Sequence, residues 1–277
     1  MGSDVRVPDE VRKCIVFVGL SVPVLPNGIQ DISYIGTAFF VSIPSSIAGI
    51  SFVYLVTAKH VAERLGNNLF FIRINKKDGQ SLTFEAEGAK WFIHPTDGSV
   101  DAAILPWAPS LKEFDFKAVP VNVFLTNEII QKEGIGVGDE VFITGLFAQV
   151  SGSNRNLPIV RMGNIAMMPD EIIPTKLGNI EAYLVEARSI GGLSGSPAFV
   201  RKTVPIGIGG FYLLGLMHGH WEIPARKKND LLMDDDLLGK VNMGIAIVVP
   251  AKKILEVLYH PELVKMRAQY EKDVLPK

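Results

Sequence analysis

The amino-acid sequence predicts an all-β protein made of two six-stranded antiparallel β-barrels followed by a C-terminal helix. Three observations predict it. Short apolar segments rich in β-branched and aromatic residues recur with turn residues between them. That rhythm breaks once, around Pro109 to Glu133, and then resumes. The apolar spacing becomes helical only beyond Pro250.

In the first half the segments are CIVFVGLSV, GTAFFVSI, FVYLVT, LFFIRIN, LTFEAEG and DAAILPW; in the second they are DEVFITGLF, IVRMGNIAMM, AYLVEAR, SPAFV, FYLLGLMHG and MGIAIVVP. Each group is large enough to close on itself, which removes exposed strand edges. The expected organisation is therefore an N-terminal barrel over 1–120, a C-terminal barrel over 121–250 and a helical tail over 251–277. Ile32 to Ala58 carries no charge and by length alone could span a membrane, but Pro44, Ser45, Ser46 and Gly49 interrupt it, so it reads as two strands and a turn. After Pro250, AKKILEVL sets Ile254, Leu255 and Leu258 on one helical face. The charged end PELVKMRAQYEKDVLPK reads as a solvated helical segment. Residues 222–240, EIPARKKNDLLMDDDLLGK, read as a long exposed loop between two strands of the second barrel.

Composition narrows the function classes. With 277 residues, 48% of them hydrophobic, the chain can bury a core without disulfide or metal support. Lys and Arg total 28 against 29 for Asp and Glu, and this balance offers no footprint for nucleic acid or an anionic membrane. Cys14 is the only cysteine, so no intramolecular disulfide forms. The opening MGSDVRVPDEVRK lacks the basic start and apolar run of a signal peptide, and the expected compartment is the cytoplasm.

Three residues carry the chemistry of nucleophilic acyl transfer. Gly191-Gly192-Leu193-Ser194-Gly195-Ser196-Pro197 offers a hydroxyl on a tight, glycine-lined turn, where the N–H groups of Gly192 and Ser194 can meet a developing oxyanion. By itself this turn reads equally as an ordinary Gly-rich β-turn. In LVTAKHVAE, His60 follows a buried strand, a fixed position for a general base, although a lone histidine is more often structural. Asp101 heads AAILPW after a polar turn and could orient that base, with Asp97 as its rival.

Together these segments resemble the chymotrypsin-like serine peptidases, and among them most closely the bacterial HtrA-type protease domain. GTAFFV is similar to the family's Gly-rich strand before the histidine, LVTAKHV to its T-A-x-H motif, DAAIL to D-x-A-x-L, and GGLSGSP to G-x-S-G-x-P. VGDEVFITG and MGIAIVVPAKKILEVL are similar to the first strand of the second barrel and to the closing strand and helix. Asp101 lies 41 residues after His60 and Ser194 a further 93 residues on, in the family's His, Asp, Ser order and unlike the subtilisin or α/β-hydrolase orders. The resemblance covers most of the chain and implies the double-barrel fold with His60, Asp101 and Ser194 as the catalytic triad. It has three departures. Leu193 stands where many relatives carry an aspartate that pairs with a newly cut N-terminus, Lys59 replaces a small residue and is expected to point outward, and Ser196 replaces the common second glycine, opening the prospect of a distorted or switchable oxyanion turn.

In such a fold Arg188 and His218 would line the substrate pocket and favour an acidic or polar residue before the scissile bond, against the alternative of structural roles for both. His218 and His220 form half of a conceivable zinc site, but no other Cys or His cluster completes it, and no metal or other cofactor is expected. GIGVG at 134–138 lacks the context of a dinucleotide fingerprint. The sequence thus predicts a cytoplasmic serine endopeptidase acting on a protein or peptide substrate, with no nucleic-acid or membrane partner. The alternative is a non-catalytic or latent double-barrel module activated by a regulatory protein partner or by oligomerisation, with the 222–240 loop as its binding surface.

Overall fold

The uncharged stretch folds as its interior residues predict: β2 (Ile32–Pro44) and β3 (Ser51–Thr57) run antiparallel, with Phe39 opposite Val56 and the turn between Pro44 and Ser51. The computed structural model describes residues 7–22, 31–66, 69–175, 178–187, 192–202, 210–224 and 240–274. Before β2 come α1 (Asp9–Lys13) and β1 (Ile15–Ser21). After β3 come α2 (Lys59–Leu65), β4 (Phe70–Asn75), β5 (Ser81–Ala86), β6 (Phe92–Ile93), β7 (Ala103–Pro106) and β8 (Val119–Pro120). They form one curled sheet in the order β5-β4-β1-β2-β3-β7-β6, with β8 parallel on β2.

This first half differs from the six-stranded barrel expected of it. It has eight strands, and its edge strands β5 and β6 do not pair among the described residues. The break falls at β6, which is two residues long and pairs with β7, Phe92 opposite Ile104 and Ile93 opposite Ala103. Aromatic packing fills the interior instead. The ring of Phe40 lies 4.5 Å from that of Phe116 and 5.5 Å from Trp107, and Phe84 meets Trp107 and Phe114.

The connection of lower regularity carries β8, a 3-10 turn at 121–123 and α3 (Asn127–Glu133), which Thr126 caps by accepting from the Ile129 N–H. The second half closes as predicted. In chain order it holds β9 (Glu140–Gly145), β10 (Ile159–Met167), the hairpin β11 (Ile172–Thr175) and β12 (Gly178–Glu181), then β13 (Tyr183–Glu186), β14 (Pro197–Arg201), β15 (Phe211–Pro224) and β16 (Lys240–Pro250). Six of them form a closed barrel in the order β10-β13-β16-β15-β14-β9. One apolar core cluster runs through both halves, joining Phe39 and Leu55 to Phe142, Phe199 and Ile254.

Two helices follow, α4 (Ala251–Leu258) and α5 (Pro261–Val274). α4 buries Ile254 and Leu258 as its spacing predicts, together with Ala251 and Val257, while Leu255 is half-buried. α5 is not the solvated end its charge suggested. Leu263 is fully buried, and Arg267, 8% exposed, donates through Nη1 to the Tyr54 hydroxyl at 2.9 Å and to the Leu258 carbonyl at 3.0 Å. The guanidinium thereby satisfies an orphan carbonyl at the C-terminus of α4 and docks α5 on β3. An Arg267→Met variant strands both acceptors and is expected to lose about 1–3 kcal/mol of stability, read as a lower urea midpoint at unchanged m-value. No described helix is long and apolar enough to cross a membrane.

Candidate active site

Antiparallel pairing of β3 with β7 ends at Thr57 opposite Ala103. The chain leaving β3 and the chain entering β7 are therefore neighbours, which sets the first turn of α2 against Asp101. The His60 N–H donates to Asp101 Oδ1 at 2.9 Å, and His60 Nδ1 lies 2.8 Å from Asp101 Oδ2. Asp97, the rival acid, is occupied in its own turn, accepting from the Ser99 N–H at 2.9 Å and from its hydroxyl at 2.5 Å. Lys59 points away from the site, donating to the Gly98 carbonyl at 2.9 Å.

A second imidazole reaches the same carboxylate. His218 Nδ1 lies 2.5 Å from Asp101 Oδ2, and its ring stands edge-on to that of His60 with centroids 5.6 Å apart. An ionised carboxylate only accepts, so both Nδ1 atoms carry protons and both histidines present Nε2 elsewhere. Burial opposes ionisation of Asp101, but the N–H groups of His218 and His60 outweigh it and hold the carboxyl well below the usual carboxylate range.

His218 reaches Asp101 because β15 is bulged there: Met217 pairs with Val248 and Gly219 with Ile247, leaving His218 as the extra residue. Its imidazole is 5% exposed and engaged with Asp101, so the pocket-wall role expected of it does not describe its position. The bulge also breaks the alternation that would set His218 and His220 on one face. Arg188 and most of the 222–240 loop lie outside the described residues.

Ser194 stands beside this cluster. Gly192, two residues before it, and Gly195, directly after it, both have positive φ, 99° and 81°. The turn is tied to β15 by Gly195 N–H to Met217 O at 2.8 Å and Met217 N–H to Ser196 O at 2.7 Å. The Ser194 hydroxyl donates to the His218 carbonyl at 3.3 Å, and among the described residues it makes no hydrogen bond to His60. The N–H groups of Gly192 and Ser194 have no acceptor among those residues.

Thr37, a β2 residue that the strand pattern treats as one more core position, joins the two halves at this point. Its N–H donates to Ser194 O at 3.0 Å, its hydroxyl donates to Gly192 O and accepts from Leu146 N–H, both at 2.9 Å, and its carbonyl accepts the Thr57 hydroxyl at 2.7 Å. The two departures inside the serine motif are also accommodated. Leu193 is buried in the apolar core of the second barrel. Ser196 fills space left by Gly145, where a Cβ would lie 1.9 Å from Ser196 Oγ.

His60, Asp101 and His218 also present ligand-type atoms within 4.8 Å of one another. Ligands around a tetrahedral zinc stand about 3.3 Å apart, whereas Asp101 Oδ2 is 2.5 and 2.8 Å from the two nitrogens. In this arrangement protons join the three groups.

No family model and no curated protein matches the sequence. Among solved structures, the apo MamO protease domain from Magnetospirillum magneticum is similar at a TM-score of 0.52 and 16% identity, over 89% of this chain and 96% of that one. An inactive form of the Rv3671c protease gives 0.47 and 16%, over 91% and 90%. The similarity to the MamO domain shows the fold alone, a chymotrypsin-like architecture.

Proposed function

We propose that this chain is a serine endopeptidase acting on protein or peptide substrates, with Ser194 as nucleophile, His60 as general base and Asp101 as the group that orients His60. The observation that carries this reading is the double hold of Asp101 on His60, through backbone N–H and Nδ1, which leaves Nε2 as the proton acceptor. Ser194 Oγ bonds to the scissile carbonyl carbon as its proton passes to His60 Nε2. The carbonyl electron pair moves onto oxygen, where the N–H groups of Gly192 and Ser194 are the available donors. Collapse breaks the C–N bond, His60 returns its proton to the departing amine, and water repeats the sequence to release the acyl group.

A second reading, a latent double-barrel module switched on by a partner, is favoured by the Ser194 hydroxyl, whose hydrogen bond runs to the His218 carbonyl instead of to His60. Labelling with a fluorophosphonate probe decides between them without knowledge of the substrate. The wild type is expected to label, and Ser194→Ala and His60→Ala to remain unlabelled. An unlabelled wild type would overturn the peptidase reading in favour of the latent module.

A further inference from the structure

We infer that His218 is a positioning residue for the reaction, acting on the orienting acid with its side chain and on the nucleophile with its backbone; the inference rests on the peptidase reading of the same site. Removing its imidazole costs turnover, not substrate affinity.

Asp101 can orient His60 only if its carboxylate plane is fixed. His60 supplies two donors, one to each oxygen, but both belong to the group being oriented. Among the described residues His218 supplies the donor from the second barrel, on the Oδ2 that faces His60 Nδ1. Hydrogen bonds to a charged group are worth more than neutral ones, and they are shorter; the His218 contact is the shorter of the two to Oδ2. Among the described residues the groups that bear electrostatically on Asp101 are these two histidines. Lys59 is turned to the Gly98 carbonyl and Asp97 to Ser99.

The same residue meets the nucleophile. The bulge that turns the His218 ring inward also presents its carbonyl to the Ser194 hydroxyl at 3.3 Å. One inserted residue of β15 thus touches both ends of the His60, Asp101, Ser194 array. A purely packing histidine would have no reason to donate into the carboxylate, and a pocket-wall histidine would direct its ring to substrate.

The test uses the full chain and three variants, His218→Ala, His218→Asn and Asp101→Asn. Peptidase turnover on a denatured protein substrate is expected to fall roughly 10- to 100-fold in kcat for His218→Ala, with KM unchanged. His218→Asn, whose Nδ2 donor occupies the position of Nδ1, is expected to restore most of the loss. Independently of activity, proton NMR of the wild type labelled with 15N-histidine is expected to show two low-field Nδ1–H resonances, one lost in His218→Asn and both altered in Asp101→Asn. Wild-type kcat in His218→Ala, or a rise in KM at constant kcat, would overturn the inference while leaving the peptidase reading intact. Failure of the wild type to label with fluorophosphonate sinks the parent reading itself, and the positioning role with it. If His218→Ala does not fold, the NMR spectrum of the wild type decides: a single low-field Nδ1–H resonance overturns the inference.

Discussion

An Asp101→Asn variant is expected to fold as the wild type does and to turn over peptide substrates about 10⁴-fold more slowly. The carboxylate accepts at both oxygens, from the His60 N–H at Oδ1 and from two imidazoles at Oδ2. An amide keeps an acceptor at one position only. With its oxygen kept on the His60 N–H, its NH2 faces two Nδ1–H groups, and the relief available to His60 is to move its proton to Nε2, which removes the base. Geometry survives while the tautomer is wrong, so fluorophosphonate labelling should slow in step with turnover. A labelling rate equal to wild type would show that Asp101 does not orient the base.

The same variant makes a prediction in acid. The Asp101 carboxyl titrates below its unfolded value, so its ionised form adds stability at pH above the ordinary carboxylate range, near 4, and that contribution is lost as the pH falls through the folded-state value. Replacing it with asparagine removes this dependence. The stability of the variant, followed by urea unfolding between neutral and acid pH, is expected to fall less steeply than that of the wild type.

His60 and Asp101 could be paired from sequence because the pairing needs only two adjacent antiparallel strands, one ending in LVT and the other opening with DAA. The serine turn was legible for a similar reason, since its glycines and proline fix its shape over a few residues. His218 was not legible in its true position. Alternation along FYLLGLMHGHW gives His218 and His220 a common face, and only the bulge between Met217 and Gly219 overrides it. A bulge depends on the partner strand, which no local pattern encodes. Arg267 presents the same difficulty at longer range, because its partner Tyr54 is 213 residues away. The break in the first sheet falls at the short β6, and strand ends are what apolar rhythm defines least well.

Gly195→Ala is expected to abolish labelling and to cost about 3 kcal/mol of stability or more, from strain at positive φ together with overpacking. Gly195 has φ of 81°, and a Cβ there would lie 2.2 Å from Thr37 O and 2.3 Å from Thr57 Oγ1. Those two atoms are themselves hydrogen-bonded, at 2.7 Å, in the fully buried seam between the two halves. Neither can withdraw: the Thr37 carbonyl is part of β2, and the Thr57 side chain is enclosed at the end of β3. The serine turn must therefore shift, and with it the Thr37 bonds to Ser194 O and Gly192 O that hold Ser194 in place. Ser196→Gly, one residue on, removes a buried hydroxyl that has no partner among the described residues and is expected to leave labelling near the wild-type rate. Equal labelling of wild type and Gly195→Ala would mean that the seam yields at little cost and that Thr37 does not set the position of Ser194. Loss confined to the alanine variant ties the reactivity of the serine to the backbone of the first sheet.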